Sequence, residues 1–359
     1  MSNYIEFNDK VAFHPGYYIK ELIDESGLTQ EDFAKRLDTT AKNLSILIRG
    51  EQNLSTDIAL KLSKMLGTSI NYWLNLQNAY DALLAEYNSQ EELELERRVF
   101  SFLDYKYFRD NCGLPDLPRK IDEQIKCVRE NLGVSSLTVL TKRDMAVSFR
   151  SASENLQESS TVKANAMVQI AIKKVLEDDA PKYDRKAFED AVKYALTLTT
   201  NHSEFYPLIK EAFKRAGVSF IVMPNMAGSR INGATKKVGG NIMLMVNNRN
   251  AYADTFWFTL FHEIGHILNG DFGISFEQEK GEKEEAADKF AKNSLIPLLK
   301  YEEFIRKNIF NEASVKSFAR EIDRDPGIVV GRLQKEGYVK YVDIMLNSLK
   351  CKYRVVAKS

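Results

Sequence analysis

Histidine and cysteine are scarce in this chain, whose 359 residues hold 4 His and 3 Cys. Cys112, Cys127 and Cys351 are far apart, so they form neither a CxxC metal clip nor an even disulfide set. That usage fits a reducing compartment. Proline is sparse at 8 residues and the 18 glycines follow no repeat, which excludes collagen-like and low-complexity architectures. No stretch approaches the roughly 18 uncharged apolar residues of a membrane span. The first thirty residues carry Glu6, Asp9, Lys10, Lys20 and Glu21 where a signal peptide needs an apolar core. Net charge is absent too, 50 Lys+Arg against 50 Asp+Glu, so any nucleic-acid contact must come from a local surface. A cytoplasmic protein with no membrane partner is expected.

What is present is length and apolar content, 44% hydrophobic residues, enough for two or three units that each bury a core. The expected fold class is mainly α with a small antiparallel sheet, α+β. Residues 1–85 read as an all-α helix-turn-helix domain and 86–160 as a helical linker region. Residues 161–345 read as an α+β domain that includes a second helix-turn-helix-like pair at 313–337, and 346–359 as a basic tail. The acidic run Glu91–Glu96 and the Ser-rich stretch 148–160 are the expected joints. Val218–Met223, Ser229–Thr235 and Asn241–Val246, separated by Pro224 and Gly239-Gly240, are the expected antiparallel strands.

Near the N-terminus, Pro15 suits a first helical turn and Gly27 a helix end. Thr29 caps a second helix with Phe33, Ala34 and Leu37 inward. Asp38-Thr39 turns, Thr40 caps a third helix bearing Leu44, Leu47 and Ile48, and Thr56 or Asp57 opens a fourth. Two short helices about a tight turn, with small Ala34 at the crossing, match a helix-turn-helix. The outward positions of the third helix are Thr39, Thr40, Lys42, Asn43, Ser45 and Arg49. Asn and Arg pair bidentately with adenine and guanine edges, while Gln30 and Lys42 suit phosphates. Residues 1–80 carry eight Lys/Arg against ten Asp/Glu, a weak electrostatic footprint for a DNA binder, and an ordinary helical bundle is the rival reading. Through His14-Pro15-Gly16, Thr29-Gln30 and the spacing to Gly50, residues 10–85 resemble the Cro-like, xenobiotic-response-element helix-turn-helix family, in particular its HigA-type antitoxin branch. The resemblance implies binding of operator DNA, usually as a homodimer.

The most specific signal is His262-Glu263-Ile264-Gly265-His266, which holds two of the four histidines. On a helix this spacing stacks both imidazoles on one face, as two ligands of one Zn²⁺ require. Asp254 or Thr255 would cap that helix, which is apolar nearly all round up to Asn269-Gly270, so its polar side chains need partners. In the downstream segment, helical phase sets Glu284 one turn before the stripe Ala287, Phe290 and Ala291, which selects it as third ligand. Asp288, one turn on, would accept a ligand imidazole's free N–H. His2Glu ligation leaves a position open for chemistry, with Glu263 as general base. From Phe256 through Glu284, Asp288 and Pro297 the chain is similar to the ImmA/IrrE metallopeptidases, over about 140–340. That likeness implies a zincin-like metallopeptidase domain over residues 161–345, a zinc endopeptidase with ligands His262, His266 and Glu284, acting on a protein substrate, a repressor or a toxin partner.

His202, Tyr206 and Tyr252 are the candidates for a transition-state stabiliser, and the Asn241–Val246 strand for an edge on which an extended substrate pairs. Ser314 and Asp325-Pro326-Gly327 open the C-terminal helix pair, read as a module that closes the peptidase domain. Three functions compete: a regulator fused to an active zinc peptidase that cleaves a repressor or itself, a HigA-like antitoxin and autorepressor whose metal site is idle or structural, and a sensor that uses zinc as its input.

Overall fold

The computed structural model describes residues 3–143, 145, 157–249, 252–276 and 281–353. Two compact units divide the chain, Met1–Leu95 and Glu96–Ser359.

The first unit opens with an antiparallel hairpin, β1 (Tyr4–Phe7) and β2 (Lys10–Phe13). Its turn residues Asn8 and Asp9 both take positive φ, the geometry of a tight two-residue hairpin turn, which Asn and Asp tolerate better than other side chains. The hairpin was not among the expected elements. Five helices follow: α1 (Pro15–Ser26), α2 (Gln30–Arg36), α3 (Ala41–Ile48), α4 (Thr56–Leu66) and α5 (Ile70–Phe100). The Thr29 and Thr40 hydroxyls accept N–H groups in the first turns of α2 and α3. α4 opens at Thr56, as expected, and Ser55 caps it, because the Ser55 backbone is extended and its hydroxyl meets the Ile58 N–H. A Cβ on Gly16 would sit 2.9 Å from Ile48 Cα, so α1 crosses α3 at backbone contact, while His14 Nδ1 accepts the Gly16 N–H. That is the physical content of His14-Pro15-Gly16. Ile19, Phe33, Ala34, Leu44, Leu47 and Trp73 fill the core of this unit.

The acidic run Glu91–Glu96 is no break in the helix. It lies inside α5, which holds neither Gly nor Pro, although the division between the two units does fall at Leu95. Glu96 is buried in the second unit, where it accepts the Leu137 N–H and pairs with Arg129 at 2.8 Å.

The second unit contains α6 (Tyr105–Cys112), α7 (Ile121–Leu132), α8 (Glu158–Leu176), α9 (Arg185–Thr197) and α10 (Phe205–Arg215). The sheet strands β3 (Val218–Pro224), β4 (Ile231–Val238) and β5 (Asn241–Asn248) come next, then α11 (Ala253–Asn269), β6 (Gly273–Phe276), α12 (Glu282–Leu295) and α13 (Leu298–Arg306). It closes with α14 (Glu312–Glu321), α15 (Pro326–Lys335) and α16 (Ile344–Asn347). The region expected as a helical linker is largely packed structure: Phe108, Ile125, Val128 and Leu137 are fully buried, and α7 packs on α8. Most of the Ser-rich stretch lies outside the described residues.

The sheet is mixed rather than wholly antiparallel, in the order β3-β5-β4-β6. β5 inserts between β3 and β4 and runs parallel to β3, Phe220 opposite Leu244. The other two pairings are antiparallel. β5 is therefore an interior strand, not the expected edge. Ile242, Leu244 and Val246 face the core shared with α11, and the alternate Met243 and Met245 are also fully buried, which explains the unbroken apolar run.

α11 is the buried axis of this unit. It begins at Tyr252–Ala253, not at an Asp254 or Thr255 cap: Asp254 is buried instead against Lys350 at 2.7 Å. The last pair of longer helices starts from Asn311, whose side chain and backbone exchange hydrogen bonds with Ser314, so Ser314 is the third helical residue and not the cap. Ile328, Val329, Val330 and Leu333 of α15 are fully buried in the same core as α11. The expected basic tail does not stand free at Lys350, while Arg354 and Lys358 lie outside the described residues.

Candidate functional site

α11 carries His262, Glu263 and His266, and α12 brings Glu284 to them. The close approach comes from Gly265: a Cβ there would meet Ala287 Cα at 3.2 Å and a Phe290 ring carbon at 3.1 Å. His262 Nε2 lies 3.0 Å from Glu284 Oε2 and 3.0 Å from His266 Nε2, and His266 Nε2 lies 3.3 Å from Glu284 Oε1. His266 and Glu263 are fully buried and Glu284 nearly so.

The outer ring nitrogens are held by carboxylates, His262 Nδ1 by Asp288 at 2.9 Å and His266 Nδ1 by Asp271 at 3.1 Å. Carboxylates accept, so each Nδ1 carries a hydrogen, and a ring with no second proton points its Nε2 lone pair at the other ring and at Glu284. Three lone pairs facing one another repel unless a cation lies between them, and Glu284 Oε1 has no hydrogen-bond partner of its own. The donor set therefore fits a metal. Without one a proton fills the role: burial disfavours the His262 imidazolium, but hydrogen bonds to Asp288 and Glu284 outweigh it and push the ring up to about 9. Burial likewise pushes the Glu284 carboxyl up, and the two facing imidazoles outweigh it, holding the group well below the usual carboxylate range.

Asp271 was missed in the sequence, although its place just past the left-handed cap Gly270, which turns the chain back toward His266, was a usable signal. Lys283 pairs with its other oxygen at 2.9 Å. Glu263 lies against β4, where Gly233 makes room: a Cβ would fall 2.6 Å from Glu263 Oε1. A cleft of about 730 Å³ opens beside His262 and Glu284, with Asn232, Phe276, Lys335 and Tyr341 among its walls. Phe276 belongs to β6, the outer strand on that side among the described residues.

His202, Tyr206 and Tyr252 are not among the lining residues of that cleft. His202 faces Asp325, Cys351 and Tyr353, Tyr206 packs on Phe220, and Tyr252 precedes α11 with Lys350 and Lys352 over its ring.

In the first unit, Thr40, Lys42, Asn43 and Arg49 are exposed on α3, and Gln30, Thr39 and Ser45 are half-buried. Thr40 is already used as a cap. Gln30 Nε2 lies 3.4 Å from the Ala41 carbonyl, which ties the start of α2 to that of α3. Glu51 holds the Arg49 guanidinium through two bonds, Nε–Oε1 at 2.7 Å and Nη2–Oε2 at 3.0 Å.

Residues 19–73 match the family model described as Helix-turn-helix, and residues 214–312 the one described as IrrE N-terminal-like domain, a peptidase family. The uncharacterized HTH-type transcriptional regulator YddM of Escherichia coli is 38% identical over 79 residues, 21% of this chain and 84% of that protein. Antitoxin HigA-1 of Vibrio cholerae is 30% identical over 84 residues, 23% of this chain and 79% of that protein. A Pseudomonas aeruginosa protein solved in complex with its operator DNA is 25% identical, with 23% of this chain and 91% of that chain covered and a TM-score of 0.22. Among the described residues no helix is long and apolar enough to cross a membrane. By its N-terminal unit the chain belongs to the helix-turn-helix transcriptional regulators, and over residues 214–312 it carries an IrrE N-terminal-like domain.

Proposed function

We propose that this protein is a DNA-binding regulator whose second unit is a zinc-dependent endopeptidase, cleaving a regulatory protein or the chain itself. The observation that carries the reading is the convergence of three lone-pair atoms, His262 Nε2, His266 Nε2 and a Glu284 oxygen, with each ring's outer nitrogen fixed by Asp288 or Asp271. His262, His266 and Glu284 would hold the metal. A zinc ion bound there supplies a Lewis acid and makes water a competent nucleophile near neutral pH. Glu263 takes the proton of the attacking water on its carboxylate, and its burial against Gly233 keeps bulk water from competing for that base. An extended peptide would lie along β6, with Phe276, Asn232 and Tyr341 as its nearest walls. In the first unit, α3 would enter the major groove with Asn43 and Arg49 toward base edges, and Gln30 and Lys42 toward phosphates, in a homodimer on a two-fold operator.

The test pairs metal analysis with proteomics. Glu263→Gln should retain zinc, since Glu263 is not one of the three converging atoms, and should abolish shortening of the cognate regulator in cells. Normal cleavage by that variant would overturn the hydrolytic assignment. A second reading, a HigA-like antitoxin and autorepressor that neutralises a toxin by contact, is favoured by the 30% identity to antitoxin HigA-1. It predicts that Glu263→Gln protects cells from a co-encoded toxin as well as the unaltered protein does.

A further inference from the structure

We propose a second metal site in the C-terminal unit, in which His202, Asp325 and Cys351 bind one zinc-class cation that clamps the C-terminal segment to the domain core. The three residues come from distant parts of the chain: the loop between α9 and α10, the N-cap of α15, and the segment after α16. Each offers one ligand atom, and the three atoms lie within 4.8 Å of one another. His202 Nε2 is 3.0 Å from Asp325 Oδ2 and 3.5 Å from Cys351 Sγ. A tetrahedral zinc with bonds of about 2.0–2.3 Å sets adjacent N and O ligands about 3.3 Å apart and N and S ligands about 3.6 Å apart. The two spacings from His202 Nε2 need shifts of only a few tenths of an ångström, and Asp325 and Cys351 offer their ligand atoms within 4.8 Å of each other.

The chemistry of the cluster also suits a cation in place of the proton on Nε2. Two neighbours address one ring nitrogen, yet a single N–H makes one good hydrogen bond, and an unprotonated Nε2 leaves Asp325 Oδ2 facing a lone pair. Asp325 is buried, its other oxygen accepts the Gly327 N–H, and burial pushes its carboxyl up. His202 is anchored on its far side as a ligand imidazole must be: Nδ1 meets the Tyr353 hydroxyl at 2.9 Å, which in turn accepts the Trp257 N–H at 3.2 Å. A thiolate, an imidazole and a carboxylate together favour zinc over the hard cations magnesium and calcium. The segment that carries Cys351 is already drawn to the start of α11, since its carbonyl accepts the Ala253 N–H and Lys352 bridges Tyr252. A cation here would lock that end beneath the helix that carries His262 and His266. The inference does not depend on the peptidase reading, because the two ligand sets share no residue.

Cobalt(II) titration of the metal-free full-length protein tests it. His262, His266 and Glu284 include no sulfur, so a thiolate-to-cobalt charge-transfer band in the near ultraviolet reports the second site alone. The expected result is two equivalents of cobalt per chain with that band present. Cys351→Ser should lose one equivalent and the whole band, and His262→Ala should keep the band. Should Cys351→Ser fail to fold, His202→Ala, on a partly exposed loop, should give the same loss. Absence of the band from the wild type, or its survival in Cys351→Ser through Cys112 or Cys127, overturns the proposal and leaves a hydrogen-bonded clamp.

Discussion

Adding one methyl group at Gly233 isolates the role of Glu263 without touching any proposed metal ligand. The new Cβ would lie 2.6 Å from Glu263 Cγ, 2.6 Å from Oε1 and 2.7 Å from Cδ, contacts that real Cβ atoms do not make. Neither side yields easily. Gly233 pairs with Val246 on one side and Ser275 on the other, so its backbone is held in the middle of the sheet, and Glu263 is fully buried. Gly233 has no positive φ, so the effect is one of space rather than of backbone strain. Overpacking of this kind destabilises by about 1–3 kcal/mol. If Glu263 moves by about 1 Å instead, the turnover of an enzyme that needs it as base falls by roughly 10²-fold. Chemical denaturation, metal analysis and single-turnover cleavage of the cognate substrate separate the two outcomes, and zinc content should stay at the wild-type level. Glu263→Asp, one methylene shorter, should relieve the clash, so Gly233→Ala/Glu263→Asp should be more stable than the sum of the single changes allows. A Gly233→Ala protein with unchanged stability and unchanged cleavage would refute the packing argument, and loss of metal would mean that Gly233 supports the ligands instead.

Asp271→Asn and Asp288→Asn each remove a carboxylate that fixes a ring nitrogen, and each should weaken zinc binding by about 10–100-fold in competition with a chelator; an effect from neither would sever the outer carboxylates from metal affinity. In metal-free protein the raised His262 adds stability that is fully present below its ordinary value of 6.5 and is lost as pH rises through about 9, with a ceiling of about 3 kcal/mol. The depressed Glu284 acts in the opposite sense, its contribution present above its ordinary value of 4.5 and lost as pH falls. Urea midpoints of chelator-treated protein should therefore decline from pH 6.5 toward 9, and saturating zinc should remove the decline by taking the proton's place. On α3, Arg49→Ala should weaken operator binding several-fold, and Glu51→Gln, which frees the guanidinium, should strengthen it, both read by fluorescence anisotropy at fixed salt.

The parts of this molecule that sequence alone made legible are those in which one helix carries its own geometry. His262 and His266 share a face because four residues make about one turn, and the apolar surroundings of α11 made burial a matter of composition. Glu284 emerged by phase against Ala287 and Ala291, which works because α12 must press a small-residue stripe on Gly265. What was not legible depends on pairing between distant strands and loops. Nothing local in the apolar run of β5 distinguishes a strand inserted between β3 and β4 from one at an edge, so the parallel pairing and the place of β6 beside β4 were invisible. Distance along the chain hid the cluster at His202 more thoroughly. Its three members are isolated in sequence, and only the closure of the C-terminal segment on the start of α11 turns them into a set of facing donors. The two sites differ in the same way as the two signals. One is written into a single helix and completed by its neighbour, whereas the other exists only once the whole unit has folded, so losing its cation should loosen the chain end before it disturbs His262 and His266.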